Sequence, residues 1–363
     1  MDLNKYCYKN VFLAKIKEKK IVFQQNNDKI CHIILDVTNL NVEYEVGDRI
    51  AIFCENDDAI IEKVLKILKI NKDFLIQNKW TTKKISIYEF LKRHASISNL
   101  SCCLINLFLD EVECCKLKKE RSDISLLEFL QIVKDFEGSK NIQQICDNLL
   151  KMNPRLYSIV NSRLYNKNEI HLIIQFFYTQ KNEKIKPGVA SHFLFDLVEE
   201  NSVIQFYINK AYNFNLIENR DIIMIATGIG IAPFIAFIQE LESKKNNYNK
   251  WLFLGKRYSL PKLFYDHYFS FLQEKKHLEF NEVCSREKEE IYVQDKIWQL
   301  KEKFFDALKK DVVIYICGSR KMAQGVESVI IKILMQLDGK NEKEANLFIR
   351  NLRKEKKYLR ELF

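Results

Sequence analysis

Residues 221 to 240 read Asp221-Ile-Ile-Met-Ile-Ala-Thr-Gly-Ile-Gly-Ile-Ala-Pro-Phe-Ile-Ala-Phe-Ile-Gln-Glu240, and this stretch organises the rest of the chain. Ile222 to Ile225 form an apolar run of strand length, the glycines at 228 and 230 interrupt it, and Ala232 to Glu240 continue with helical spacing. A strand, a glycine turn and a helix in that order let backbone N–H groups at the helix start approach a phosphate, with the helix dipole favouring the negative charge. The same pattern also serves as a plain tight connection, because two glycines fall short of a full GxGxxG fingerprint. Ile222 to Ile238 carries no charge, but it is shorter than a usual membrane span and contains Gly228, Gly230 and Pro233, so a membrane reading is set aside.

Working outward from this unit, the C-terminal part alternates strands and helices. Ile222–Ile225, Trp251–Gly255, Phe280–Cys284 and Val312–Cys317 read as strands with helices between them, the order of an open parallel sheet. Towards the N-terminus, Val11–Ile16, His32–Val37 and Arg49–Phe53 read as short strands, the last preceded by a turn at Val46-Gly47-Asp48. Helical spacing then dominates in Asp57–Leu68, Tyr88–His94, Leu104–Leu117, Ser125–Phe136 and Ile142–Leu150, with Ser125 and Glu128 placed as a capping box. Strands return at Arg155–Asn161, Glu169–Tyr178 and Val203–Ile208.

The chain has 363 residues, more than one core normally serves, so two or three domains are expected. It is 47% hydrophobic and 29% charged, an ordinary globular balance, and nothing near Met1 has the order of a signal peptide, so the cytoplasm is the default compartment. Among ten cysteines, Cys102-Cys103 and Cys114-Cys115 are adjacent doublets rather than CxxC pairs, which argues for reduced thiols and against a metal site. The net charge of +10 comes from lysines spread throughout, not from a basic block interleaved with aromatics, so nucleic-acid binding is not expected.

Six blocks carry a resemblance: RLYSI at 155–159, GVASHFL at 188–194, GIGIAPFIAFIQE at 228–240, WLFLGKR at 251–257, SREKEEIYVQDK at 285–296 and YICGSRKMAQGVE at 315–327. In that order they resemble the ferredoxin-NADP reductase superfamily, and within it the FAD- and NADPH-binding part of the bacterial sulfite reductase flavoproteins. The resemblance implies an antiparallel β-barrel FAD domain in two parts, residues 1–63 and 151–217. It further implies a helical connecting insertion at 64–150 and a parallel-sheet α/β domain for NADP at 218–363.

By the same resemblance, Arg155 meets FAD phosphates, its planar fork suiting phosphate oxygens. Leu156 and Tyr157 lie with the flavin, Tyr157 against one ring face, and Ser158 places a hydroxyl near flavin N5. Tyr178 is the candidate for stacking adenine, and Gly188, Val189, Ala190 and Ser191 form the phosphate turn. For the nicotinamide nucleotide the candidates are Gly228, Gly230, Arg257, Ser285, Arg286, Tyr292 and Gln294. Ser158, Cys317 and Glu361 are the catalytic candidates, and Phe363 is expected to cover the flavin's other face as a lid. No metal is implied.

Several positions depart from the family pattern: Ile229 lacks a hydroxyl, Ser319 replaces an acid after Gly318, Gly325 replaces another, and Glu290 stands where a lysine is expected, with Lys288 nearby to compensate. The expected activity is NADPH-dependent reduction of FAD, with electrons passed singly to an FMN-binding flavodoxin-like protein or to ferredoxin. Sulfite reduction in sulfur assimilation and cysteine biosynthesis, with a haemoprotein partner subunit, follows from the resemblance. The family's FMN domain is expected on another polypeptide or replaced by another carrier. The rival expectations are a non-catalytic subunit that keeps FAD, or a stand-alone ferredoxin or flavodoxin reductase.

Overall fold

The computed structural model describes residues 10–25, 27–120, 124–133, 142–181, 184–257, 266–287 and 290–363. Lys288 and the last three residues of the Ser125–Phe136 helix reading lie outside them. The chain divides into two compact units, one comprising 1–51, 156–175 and 207–363, the other 52–155 and 176–206.

Three strands open the chain, β1 (Phe12–Gln25), β2 (Asp28–Asp36) and β3 (Arg49–Ile52). The β1–β2 pair is antiparallel, and β1 runs well past Ile16 because register shifts at Ile16/Glu18 and Ile21/Phe23 keep it in the ladder despite its charges. In the second unit, Asp57 caps the helix Asp58–Leu68 through its carboxylate on the Ala59 N–H, and Ser125 with Glu128 forms the expected capping box of Leu126–Ile132. The expected helix Leu104–Leu117 is instead two, Cys102–Ile105 and Glu111–Glu120. Small antiparallel pairs, β4 (Leu75–Gln77) with β5 (Lys84–Ser86) and β6 (Ala95–Ser96) with β7 (Leu150–Lys151), close loops around an apolar cluster centred on Ile61, Phe90, Leu104 and Phe129.

Further along, β8 (Arg155–Ser158) stops three residues short of the expected Asn161. The expected strand Glu169–Tyr178 is split: β9 (Glu169–Gln175) pairs with β2, whereas Tyr178 belongs to a hairpin of β10 (Tyr178–Lys181) and β11 (Lys184–Pro187). With β12 (Val203–Asn209), the first sheet has the order β8-β3-β12-β1-β2-β9.

The C-terminal part is the parallel sheet read from the sequence, built from β13 (Asp221–Thr227), β14 (Lys250–Lys256), β15 (Glu279–Cys284) and β16 (Val312–Gly318). A fifth strand not anticipated, β17 (Tyr358–Leu362), pairs in parallel with β16, giving the order β15-β14-β13-β16-β17. Alternate residues of β13 enter opposite cores: Ile222, Met224 and Ala226 pack with the helix Ala232–Ser243, and Ile223 and Ile225 pack with the helices on the other face. Burial on both faces is why this strand reads as a continuous apolar run. The chain leaves β13 for β14 and β15 on one side and returns to β16 on the other, so the topological switch lies between β13 and β16, where doubly wound sheets place their ligand crevice.

Candidate functional site: a cavity at the sheet switch point

At the C-terminal ends of β13 and β16 two glycines carry the close approach of the chain. A Cβ on Gly230 would sit 2.3 Å from the Cys317 carbonyl oxygen, so the turn packs directly on the end of β16. Gly318 has φ +151°, and a Cβ there would meet Thr227 Oγ1 at 2.4 Å. Gly228, at φ +55°, starts a short 3-10 turn with open space around it.

These turns border a cavity of about 540 Å³, a volume suited to a nucleotide. Its walls include Thr227, Gly228, Ile229, Arg257, Ser285 and Tyr292, and Gln294, Ser319, Lys321 and Phe363 also line it. Of the nicotinamide-nucleotide candidates, the cavity brings together Gly228, Arg257, Ser285, Tyr292 and Gln294. Gly230 lies beneath, as packing. Arg286 is exposed and does not line the cavity, though its N–H donates to the Arg257 carbonyl at 2.9 Å. Glu290 is exposed and is likewise not among the lining residues. Gly325 faces Gln294, whose side chain would lie 3.2 Å from a Cβ there, so the missing acid makes room for a cavity residue.

Part of the wall carries no mark in the sequence. Val22, Asp28, Ile30 and Ile173 come from the first sheet, and nothing in their spacing marks them. Lys256, 6% exposed and 2.7 Å from Glu282, also lines the cavity, and its place inside the WLFLGKR block was the available signal.

Phe363 sits at the cavity with its N–H donating to the Gly318 carbonyl at 3.2 Å, its side chain largely exposed. Beside it, Glu361 and Cys317 face each other in the β16–β17 register. Burial raises the Glu361 carboxyl above its ordinary range, while the ion pair with Arg49 at 3.2 Å pulls it back. Glu361 Oε2 is buried without a hydrogen-bond partner, and so is Arg49 Nε. Burial, and then the Glu361 charge, push the Cys317 thiol well above its usual value, so it stays a neutral thiol packed among apolar neighbours. In the same unit, Leu156 is exposed while Tyr157 and Ser158 are half-buried on β8.

The second unit holds the other candidates. Arg155 is exposed at the start of β8. Gly188 caps the short helix Val189–His192, which also contains Ala190 and Ser191. The first N–H groups of any helix lack intrahelical partners, which suits an anion. The Ser191 hydroxyl, itself buried, accepts from the Phe177 N–H at 2.8 Å, and the Gly188 N–H donates to the Phe177 carbonyl at 2.9 Å. Phe177 is 66% exposed and its ring would stand 3.2 Å from a Cβ on Gly188, so Phe177 lies against the turn, while Tyr178 is half-buried in the β10–β11 hairpin. Next to Ser191, His192 bonds to Asp196 at 2.8 Å and Asp57 at 3.1 Å.

Comparison with known proteins gives two family matches and a set of relatives. Residues 5–94 match the family described as an FAD binding domain, and residues 224–328 match the oxidoreductase NAD-binding domain. The chain is similar to the sulfite reductase (NADPH) flavoprotein alpha-component of Buchnera aphidicola subsp. Schizaphis graminum, 30% identical over 99% of this chain and 62% of that protein. Proteins of the same name from Mannheimia succiniciproducens and Neisseria meningitidis serogroup A are 28% and 27% identical, each over 99% of this chain and about three fifths of their own length. The chain thus spans 62% or less of the length of these curated relatives, and both family matches fall within it.

Proposed function

We propose that this chain, which carries an FAD-binding and an NAD-binding domain and resembles sulfite reductase flavoproteins along 99% of its length, is an NADPH-dependent flavoprotein oxidoreductase. The observation that carries the reading is the switch-point cavity, where Gly228, Arg257, Ser285, Tyr292 and Gln294 converge beside Phe363. In this reading Arg257, Ser285 and Lys321 hold the nucleotide's phosphates. Tyr292 and Gln294 orient its sugar and base, and Arg286 reaches a 2'-phosphate from outside the wall.

Arg155 and the Gly188–Ser191 turn are proposed for the FAD pyrophosphate. Phe177, lying against that turn, shares the adenine-stacking role with Tyr178. Tyr157 and Phe363 are assigned to the two faces of the flavin ring. Bound FAD supplies a two-electron acceptor that can release electrons one at a time. The protein's part is orientation and proton control: the Ser158 hydroxyl offers a hydrogen bond, and the buried Glu361 carboxyl can hold a proton on the orphaned Oε2. The Cys317 thiol, neutral and packed, shapes the wall. The helices between Asp58 and Asn148 are assigned to the connecting domain of the family.

Electrons are proposed to leave to an FMN-binding flavodoxin-like module or ferredoxin, and from there to a haemoprotein that reduces sulfite. The test is ferricyanide reduction by the FAD-loaded chain with NADPH, together with chromatography of the released flavin. Turnover with FAD near one per chain is expected. Stoichiometric FAD without NADPH oxidation would instead identify a non-catalytic subunit.

A further inference from the structure

We propose that Asp28 is a counter-charge built into the nucleotide cavity: it holds Arg257 until a ligand phosphate displaces it, and so weakens the binding of nicotinamide nucleotides. This rests on the reading of the cavity as a nicotinamide-nucleotide site. Arg257 Nη1 lies 3.2 and 3.0 Å from the two carboxylate oxygens of Asp28, and both residues line the cavity. Asp28 is not a chance loop residue. It opens β2 opposite Gln25 of β1, so the hairpin ladder fixes its backbone, and the same hairpin contributes Val22, Phe23 and Ile30 to the wall.

The charge arrangement gives the pair its consequence. Two lining cations, Lys256 and Arg257, are each neutralised by a carboxylate, Glu282 at 2.7 Å and Asp28 at 3.0 Å. The Lys256 side chain is 4% exposed, so its pair is fixed structure; that of Arg257 is 54% exposed, so its pair is cheap to break. A phosphate seeking the parallel N–H groups of a guanidinium needs Nη1 free of the carboxylate, and it meets like-charge repulsion from Asp28 until the pair opens. Each binding event therefore trades one ion pair for another, and part of the guanidinium's attraction is cancelled.

The test measures dissociation constants of the FAD-loaded chain for NADP⁺ and for inorganic pyrophosphate, by titration calorimetry, in wild type, Asp28→Asn and Asp36→Asn. Asp36 lies at the other end of β2, is exposed and does not line the cavity, so its variant carries the same change of net charge. Asp28→Asn is expected to tighten both ligands by about three- to tenfold at low salt, the gain shrinking as salt rises, with Asp36→Asn within about twofold of wild type. Should the asparagine variant fold poorly, Asp28→Ser provides the same comparison. Unchanged or weaker binding on loss of Asp28, or an equal gain from Asp36→Asn, overturns the proposal while leaving the cavity reading intact. Absence of binding by all proteins overturns both.

Discussion

Substituting Gly230 by alanine tests the packing on which the cavity depends. The new methyl would lie 2.3 Å from the Cys317 oxygen, 2.8 Å from its carbonyl carbon and 3.3 Å from the Gly318 nitrogen. All three are backbone atoms, so no side chain can swing away, and ordinary contact at 3.4 Å or more requires the turn and the end of β16 to part by roughly 1 Å. That motion disturbs the Ala226–Cys317 register and the seat of Ile231, which is 1% exposed. Overpacking of this kind costs about 1–3 kcal/mol, and a rigid neighbour places Gly230→Ala at the upper end, about 3 kcal/mol.

Gly228→Ala is the internal control. It has φ +55° but nothing within 4 Å, so it pays only the left-handed backbone penalty of about 1 kcal/mol. The two variants should differ by about 2 kcal/mol, or about 4–8 °C in melting temperature for a region of this size. Urea unfolding in a Trp80→Phe background, followed by the fluorescence of Trp251 and Trp298, measures this in the parallel-sheet region. A Gly230→Ala protein as stable as Gly228→Ala, with unimpaired NADP⁺ binding, would refute the close-approach reasoning.

Two pH-dependent outcomes follow from the other charged groups. Because the folded pKa of Glu361 is raised by burial, the folded state keeps its proton more tightly than the unfolded chain, and stability falls as pH rises from the ordinary carboxylate pKa through the folded one. Arg49→Gln removes the opposing cation and should cost about 1–2 kcal/mol more at pH 8 than at pH 4, since solvent screens an Arg49 side chain that is 33% exposed; a pH-independent cost in denaturant melts would contradict the ion pair. His192 shows the opposite balance: burial opposes its charge, but Asp196 and Asp57 prevail and raise its pKa. Its stabilisation is full below about pH 6.5 and is lost as pH rises through the raised value. Wild type should therefore lose melting temperature relative to His192→Gln over that window, and parallel pH profiles would show the two aspartates to be idle.

How much of this was legible in the sequence depended on what each segment buries. The strands β13, β14 and β16 are covered on both faces, so their apolar runs stand out, and the capping box at Ser125 and Glu128 is local chemistry that needs no tertiary context. By contrast β17 includes Arg360 and Glu361 and, among the described residues, has only β16 as a neighbour, so no alternation announces it. The length of β1 was hidden because its bulges break the period of two over Lys17 to Lys20. The split after Gln175 turns on where the Phe177 backbone finds partners, Ser191 and Gly188, which periodicity cannot show. At the site, residues within the motif blocks were accessible to reading, whereas Asp28 and Ile173 become wall residues only through the fold.

The strand order also sets a kinetic problem. β13 lies at the centre of the parallel sheet, yet its partner β16 begins at Val312, 85 residues after Thr227 ends β13. Until β16 docks, the β13 edge, whose Ile222 to Ala226 are at most 1% exposed in the finished fold, offers unpaired backbone and apolar side chains to any other chain. Closure of so long a connection must precede the reward of the contact, which makes this step slow and aggregation-exposed. Refolding yield should therefore fall steeply with protein concentration, and the fast competitor of folding is the pairing of one β13 edge with another.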